Sequence, residues 1–499
     1  MKSPGVAESQ QILSCRLHHK KIHGDINMPG LNEIFARRDF AAILGGNSAE
    51  TKANRFSSWA AEPREIFEFH ADQTDPFGKL DKVLNKYKLD EARQADLPAG
   101  IFCGGWVGCF SYELGRFIEI LPGRAVDDIK TPLVRLCFYD RLICYDRIEK
   151  TCYLFALQIQ NDNESVDEKL AGLEALRTEA AKISTARPHR GDLKKIDFSQ
   201  IRANMSREYY IDALKKIKRY IYDGEVYQIN FSQRFECDFT ARPIDLFGWQ
   251  NFYNPCPYGA YIDGGGFQIV SASPEMFITI TDGNISTKPI KGTCPRTGRE
   301  SVDARNFNEL LSSDKEQAEL NMIVDLERND LARICAAGTR TVIQPRTIET
   351  YPTVFHAVAT VAGRLRPEVG FCDVLKAVFP GGSITGAPKV RSMEIIDEFE
   401  PTQRGVYTGS IGFIGVDGNA CLNIAIRTII IAGQKAYAQT GGGIVADSEP
   451  EAEWNETITK ARALLAGINS VQRAKSRRAQ VRDIRHKRHE KYVRKSIPE

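Results

Sequence analysis

Short strand-like runs recur from residue 101 to residue 439, broken by only a few helical stretches, which restricts the chain to folds that mix sheet with helix. Ile101–Tyr112, rich in glycine and aromatics, Val134–Tyr145 and Cys152–Ile159 read as strands, followed by an amphipathic helix over Val166–Ser184. A polar linker then runs to about Asp197. Beyond it, Tyr210, Leu214, Ile217 and Ile221 recur at helical spacing within Ser206–Asp223, and Val226–Phe235 alternates like a strand. Phe267–Ser271 and Met276–Ile280 read as strands joined at Ser273-Pro274, and Val354–Gly363 and Gly409–Phe413 as two more. Ala420–Ile431 and Lys435–Gln439 suggest a hairpin around Gly433-Gln434. Helices are expected over Asp303–Asp325 and Glu451–Ala466. Residues 1–30 show no periodicity and read as an unstructured lead-in.

How these elements group is open. At roughly 150 residues per domain, 499 residues suggest about three domains, but one large α/β unit or two interlocked halves fits as well. With 42% hydrophobic and 26% charged residues, the chain is composed like a soluble globular protein. The charge is uneven: residues 467–499 carry 11 Lys/Arg against 3 Asp/Glu. That is a net +8, against +3 for the whole chain, so the remainder carries −5. This tail has helical propensity but no aromatic besides Tyr492. Base stacking is therefore poorly supported, and no nucleic-acid partner is expected. The 12 cysteines include no Cys-x-x-Cys pair and read as reduced core thiols of a cytoplasmic protein. The polar N-terminus does not resemble a signal peptide, and no segment reaches the ~18 consecutive apolar residues of a membrane helix.

Several constellations suit chemistry. Glu316 and Glu319, and likewise Glu453 and Glu456, lie three residues apart on the expected helices, so each pair shares a face. Two such faces would make an oxygen-rich clamp for a hard cation such as Mg²⁺. Lys460 stands four residues after Glu456, which equally fits a surface salt bridge. Pro380–Lys389 is rich in glycine but is no P-loop, because Lys389 does not follow Gly386 and no Ser/Thr follows it. Gly441, Gly442 and Gly443 follow a strand pattern and could bring backbone N–H groups close to an anion. Lys291 sits in Pro289-Ile-Lys-Gly-Thr293, where desolvation would lower its pKa and free a nucleophilic amine. Asp325-Leu-Glu-Arg-Asn-Asp330 reads as a structural helix end.

Taken in order, these motifs resemble the chorismate-utilising enzymes. That group includes the synthase subunits of anthranilate synthase and aminodeoxychorismate synthase, and the isochorismate and salicylate synthases. The likeness is carried by Ser271-Ala-Ser-Pro-Glu275, Pro289–Thr293, Glu319 through Asp330, Pro380–Lys389, Arg404–Gly412, Gly441–Gly443 and Trp454-Asn-Glu-Thr457 with Lys460. It runs unbroken over the expected catalytic region, 198–466. It is weaker over 31–190, through Gly104–Gly108 and Tyr112–Arg116. Residues 1–30 and the basic tail 467–499 match nothing. The resemblance implies an α+β fold: two large, mostly antiparallel sheets packed face to face, helices outside, and the site in a cleft between them.

It also implies roles. Mg²⁺ held by Glu319 and Glu456, supported by Glu316 and Glu453, would neutralise the ring carboxylate of chorismate. Lys291 would add to the ring, and Glu275 would protonate the departing hydroxyl. Tyr407, Arg427, Lys460, Thr385 and the Gly441–Gly443 amides would hold the substrate, with His356 in the active site. Gln228 stands where the water-using members carry a lysine base, so an amine nucleophile is implied. Lysine rather than alanine at position 291 resembles the aminodeoxychorismate branch more than the anthranilate branch. A separate glutamine amidotransferase subunit would supply the ammonia. The alternatives are anthranilate synthase component I and, in a different class, a non-catalytic interaction protein using the basic tail.

Overall fold

The computed structural model describes residues 12–45, 55–90, 96–185, 187–188 and 201–495, with side chains to residue 475. Two large sheets dominate, one of 13 strands and one of 10. Strand pairing among the described residues is antiparallel apart from the parallel contact of Leu13–Cys15 with Tyr87–Leu89. The sheets pack face to face over one core, in which Phe110, Val134 and Phe138 of the smaller sheet meet Leu142, Phe155 and Ile269 of the larger. The period-two alternation decides which side each residue faces. Leu142 and Ile430 enter this shared core, while their neighbours Ile143, Ile429 and Ile431 face an outer core. There they meet the helices Met28–Phe35, Val166–Lys182, Pro243–Tyr253 and Pro450–Lys495. Each fully buried Leu, Ile or Phe contributes roughly 1.5–3 kcal/mol. A one-residue slip would exchange the two faces, so burial on both sides pins the register.

The expected α+β architecture is therefore present, and of the groupings left open by the sequence the structure shows interlocked N- and C-terminal regions. The larger sheet continues from Gln228–Asp238, Lys435–Ile444, Thr428–Ala432, Phe267–Ser273 and Tyr258–Asp263 into Ala42–Leu44, Phe56–Ala60, Arg141–Asp146, Thr151–Ile159 and Leu13–His23. In the smaller sheet, Ser410–Gly415 pairs with Gly105–Phe110. Residues 31–190 and 198–466 thus share both sheets, joined by a linker that lies largely outside the described residues.

Four expectations about single elements are corrected. The lead-in reading fails from Leu13 onward: Leu13–His23 is a strand paired with Thr151–Ile159 from Cys15↔Ile159 to His23↔Thr151. Only Cys15 and Leu17 of it are buried, so backbone pairing rather than apolar periodicity holds it. The single helix expected over 303–325 is two, Glu300–Ser312 and Asp314–Ala332. Ser313 leaves helical geometry and caps the second helix by accepting the Glu316 N–H at 3.3 Å. Ala420–Ile431 is not one strand: Ala420–Ile424 belongs to the smaller sheet and Thr428–Ala432 to the larger. The hairpin at Gly433-Gln434 forms as expected, with Ala432 opposite Lys435. The helix expected over 451–466 runs from Pro450 to Lys495 and includes most of the basic tail. Among the described residues, no helix is long and apolar enough to cross a membrane.

Candidate active site

Two places where the chain passes from one sheet to the other lie side by side. Phe267–Ser273 in the larger sheet leads through Pro274-Glu275 into Met276–Thr281 in the smaller, and Ala420–Ile424 returns through Ala425–Arg427 to Thr428–Ala432. The Ile424 N–H donates to the Glu275 carbonyl at 3.0 Å, and the Ala272 N–H to the Arg427 carbonyl at 3.1 Å. Arg427 has a positive φ of 50°, a strained conformation for a side-chain-bearing residue, held here by the crossing itself. The two crossings place Glu275 and Arg427 together at the junction of the sheets. Both bear on His356, Lys291 or each other electrostatically.

Lys291 lies at the start of the strand Ile290–Pro295. Its ammonium makes a long contact, 3.5 Å, with the Ser383 carbonyl. Burial pulls its pKa down from the usual lysine range, opposed by the nearby Glu319 and Glu275 carboxylates. Glu275 is buried and accepts the Ile290 N–H at 3.3 Å. Burial pushes its pKa up, against a hydrogen bond from Ser383 and the charge of Lys291. Burial thus shifts the amine toward its free base and the carboxyl toward its acid, the forms needed for nucleophilic attack and proton donation.

The triple glycine does not follow a strand but lies inside one, Lys435–Ile444. Asn230 stands opposite Gly443, Phe231 opposite Gly442 and Ser232 opposite Gly441. The pairing with Thr428–Ala432 ends at Ala438, so the glycines lie beyond the cover of that neighbour. A Cβ on Gly443 would stand 2.6 Å from Gln228 Nε2 and 3.6 Å from Lys291 Nζ. One on Gly442 would stand 3.1 Å from Glu453 Oε2 and 3.7 Å from Glu456 Oε1. Gln228 is fully buried, yet neither atom of its amide has a hydrogen-bond partner. Buried amides are rarely left unsatisfied, so this one is suited to a ligand entering beside Lys291. Gly443→Ala is expected to displace Gln228 and crowd Lys291. It should lower kcat/KM for the substrate by roughly 10- to 10²-fold, while circular dichroism stays that of the parent.

His356 is buried, with Nδ1 2.7 Å from Thr293 Oγ1 and Nε2 without a partner. Burial, reinforced by Arg427, lowers its pKa to about 3, so the ring is neutral at physiological pH. Thr385 is buried, its hydroxyl given to the Gly381 carbonyl at 2.9 Å, and its carbonyl accepts the Asn230 N–H at 2.8 Å. Tyr407 is buried beside Arg404. Lys460 pairs with Glu456 at 2.7 Å and donates to the Gly441 carbonyl at 2.9 Å. It is half-exposed, so the pair adds little stability, but it tethers the helix to the glycine strand.

The four carboxylates are only partly gathered. Glu453 and Glu456 flank Gly442, Glu316 lies against Gly292, and Glu319 acts on Lys291. Glu319 and Glu453 have raised pKa values, first from burial and then from neighbouring carboxylates. Among the described residues, no three acidic, histidine or cysteine groups come close enough to form a metal cage. Mg²⁺ takes one or two protein carboxylates, with water and anionic substrate filling the remainder. An all-oxygen set of carboxylates, Glu316, Glu319 and Glu453 part-buried and Glu456 exposed to solvent, fits that requirement.

Three supporting residues were not singled out in the sequence. Ser383 contacts both Lys291 and Glu275. Thr293 orients His356. Glu113 is buried and accepts the backbone N–H groups of Arg404 at 2.7 Å and Gly405 at 3.0 Å, holding the turn that leads to Tyr407. Each lies within a motif, but its partner is on a distant segment, so spacing carried no signal.

Residues 47–466 match the chorismate binding enzyme family. The chain belongs to this family. It is 37% identical over 444 residues to aminodeoxychorismate synthase component 1 of Klebsiella aerogenes, covering 86% of this chain and 94% of that one. It is also 37% identical to anthranilate synthase component 1 of Pseudomonas putida, over 80% of each. Among solved structures, anthranilate synthase component I of Streptococcus pneumoniae superposes with a TM-score of 0.72 at 30% identity, over 84% of this chain and 93% of that one. The enzyme therefore acts on chorismate, and relatives of both names match it at the same identity.

Proposed function

We propose that the enzyme is the synthase component of an aminodeoxychorismate synthase, converting chorismate and ammonia to 4-amino-4-deoxychorismate. The observation that carries this reading is the amine of Lys291, shifted toward its free base by burial, beside the buried acid Glu275 and the unpartnered amide of Gln228. Lys291 Nζ adds at C2 of the ring while the C4 hydroxyl, protonated by Glu275, leaves as water. Ammonia then adds at C4 as the C2–N bond breaks, which releases Lys291. Gln228 cannot take a proton from water at neutral pH, so it disfavours hydrolysis and can hold a polar substrate group. Arg427, Tyr407, Thr385, Lys460 and the glycine amides hold the two substrate carboxylates, and neutral His356 offers Nε2 as a hydrogen-bond partner.

Mg²⁺ would be held by Glu319 and Glu456, with Glu316 and Glu453 in support, and would supply charge neutralisation for the ring carboxylate. Chelation with EDTA is expected to abolish turnover, and added Mg²⁺ to restore it, as followed by chorismate consumption. A separate glutamine amidotransferase subunit delivers the ammonia. A reducing, cytoplasmic setting accords with cysteines that are all free.

The test is product identity. Purified enzyme is incubated with chorismate, Mg²⁺ and an ammonium salt. The expected product yields para-aminobenzoate only after a lyase is added. Anthranilate fluorescence without any lyase overturns the reading in favour of anthranilate synthase component I, the alternative that the equal identity to both kinds of relative supports.

A further inference from the structure

The helix Asp314–Ala332 carries Glu316 and Glu319 near its start and, toward its end, a buried acid to which no role has yet been given, Glu327. Glu327 is 3% exposed, and its Oε1 accepts the Gly382 N–H at 3.2 Å. Gly382 opens the tight turn Gly382–Ile384. The turn is pressed onto the helix so closely that a Cβ at position 382 would stand 2.5 Å from Leu326 Cδ2 and 3.2 Å from Glu327 Oε1. The next residue, Ser383, meets Lys291 through its carbonyl and Glu275 through its hydroxyl. One short turn therefore touches both reacting side chains and is gripped from behind by Glu327.

We propose that Glu327 is a positioning residue for the chorismate reaction: by accepting the Gly382 amide it fixes the Gly382–Ile384 turn, and through Ser383 the relative placement of Lys291 and Glu275. This rests on the reading that those two groups act at the ring. Because Glu327 shares a helix with Glu319, the same bond sets the turn relative to the carboxylates expected to hold the metal. The charges facing Glu327 are few. Asp330 lies one turn further along the helix, and Glu275 approaches from the sheet crossing. The nearby cation, Lys389, is engaged by Asp330 at 2.5 Å and by the Val378 carbonyl at 3.1 Å. Burial, then repulsion by Asp330, raises the Glu327 pKa above the usual glutamate range, and as acid or carboxylate it keeps an oxygen that accepts the amide. An apolar side chain would fill the space but leave the Gly382 N–H buried without a partner.

The test compares Glu327→Gln with Glu327→Leu in the full-length enzyme, following chorismate consumption with ammonia and Mg²⁺ whatever the product. Glutamine keeps the neutral acceptor; leucine keeps the bulk and removes it. The expected result is kcat within about threefold of the parent for glutamine and lowered roughly 10- to 10²-fold for leucine, the scale of a misplacement near 1 Å. KM for chorismate should change little in either. Gly382→Ala, whose Cβ would stand 2.5 Å from Leu326 Cδ2 and push the turn off Glu327, should lower kcat on the same scale with KM little changed, and it decides if the leucine variant does not fold. Equal kcat for Glu327→Gln and Glu327→Leu, or parent-like kcat in Gly382→Ala, overturns the proposal. Lys291→Ala is run in parallel. If it keeps full activity, the covalent reading fails, while the Gln/Leu comparison still reports whether Glu327 positions the turn.

Discussion

Lys291→Ala is expected to lower turnover of chorismate with ammonia on the order of 10³-fold, about 4 kcal/mol of barrier, with little change in KM. The amine lies in an environment unlike that of a surface lysine. It contacts the Ser383 carbonyl, shares the approach to Gly443 with Gln228, and feels the carboxylates of Glu319 and Glu275. A lysine serving only to bind an anionic substrate would gain from an elevated pKa. Here burial outweighs two nearby carboxylates and lowers it, which favours a nucleophile. Truncation to alanine leaves Arg427, Tyr407 and the glycine strand in place, so binding should survive and the loss should fall on kcat. Steady-state kinetics with ammonium as the nitrogen source makes the measurement. Unchanged kcat would remove Lys291 from the chemistry.

The second large effect is expected at Glu275. Glu275→Gln should reduce kcat roughly 10²- to 10⁴-fold, the range for a positioned proton donor, and remove one limb of the pH–rate profile. The direction follows from burial. A carboxyl whose pKa is raised stays protonated to higher pH, so it can still give a proton where an ordinary glutamate has lost its own. Lys291, lowered from the other side, widens the pH range in which the acid and the free amine coexist. Glutamine keeps the acceptor for the Ile290 N–H at the same position, so the fold should be preserved. Parent-like thermal unfolding together with a lost limb separates the chemical role from a structural one. A variant retaining both limbs and near-parent kcat would assign the proton donor elsewhere.

The motifs of the site were legible in the sequence because each is local. Pro289–Thr293, Ser271–Glu275, Pro380–Lys389, Gly441–Gly443 and Trp454–Thr457 keep their chemistry within a few consecutive residues. The hairpin at Gly433-Gln434 was legible for the same reason, since a two-residue turn sets its own register. Leu13–His23 was not, because its support is the backbone ladder to Thr151–Ile159, a partner more than a hundred residues away. The break at Ser313 falls in a polar run, Ser312–Gln317, where apolar spacing carries no signal, although the serine cap that makes it is a local device.

The sequence by itself determined the family likeness, the order of the site motifs, and the residue types at positions 228, 275 and 291. Tertiary structure decided what those residues can do. The side-by-side crossings bring Glu275 and Arg427 together. The glycine strand lets Gln228 and Lys291 approach one backbone position. The Gly382–Ile384 turn joins acid and amine through Ser383 and is held by Glu327. The physical reason is that pKa and hydrogen-bond satisfaction depend on desolvation and on charges within a few ångströms. In a protein built from sheets shared by both halves of the chain, those neighbours come from segments far apart in sequence.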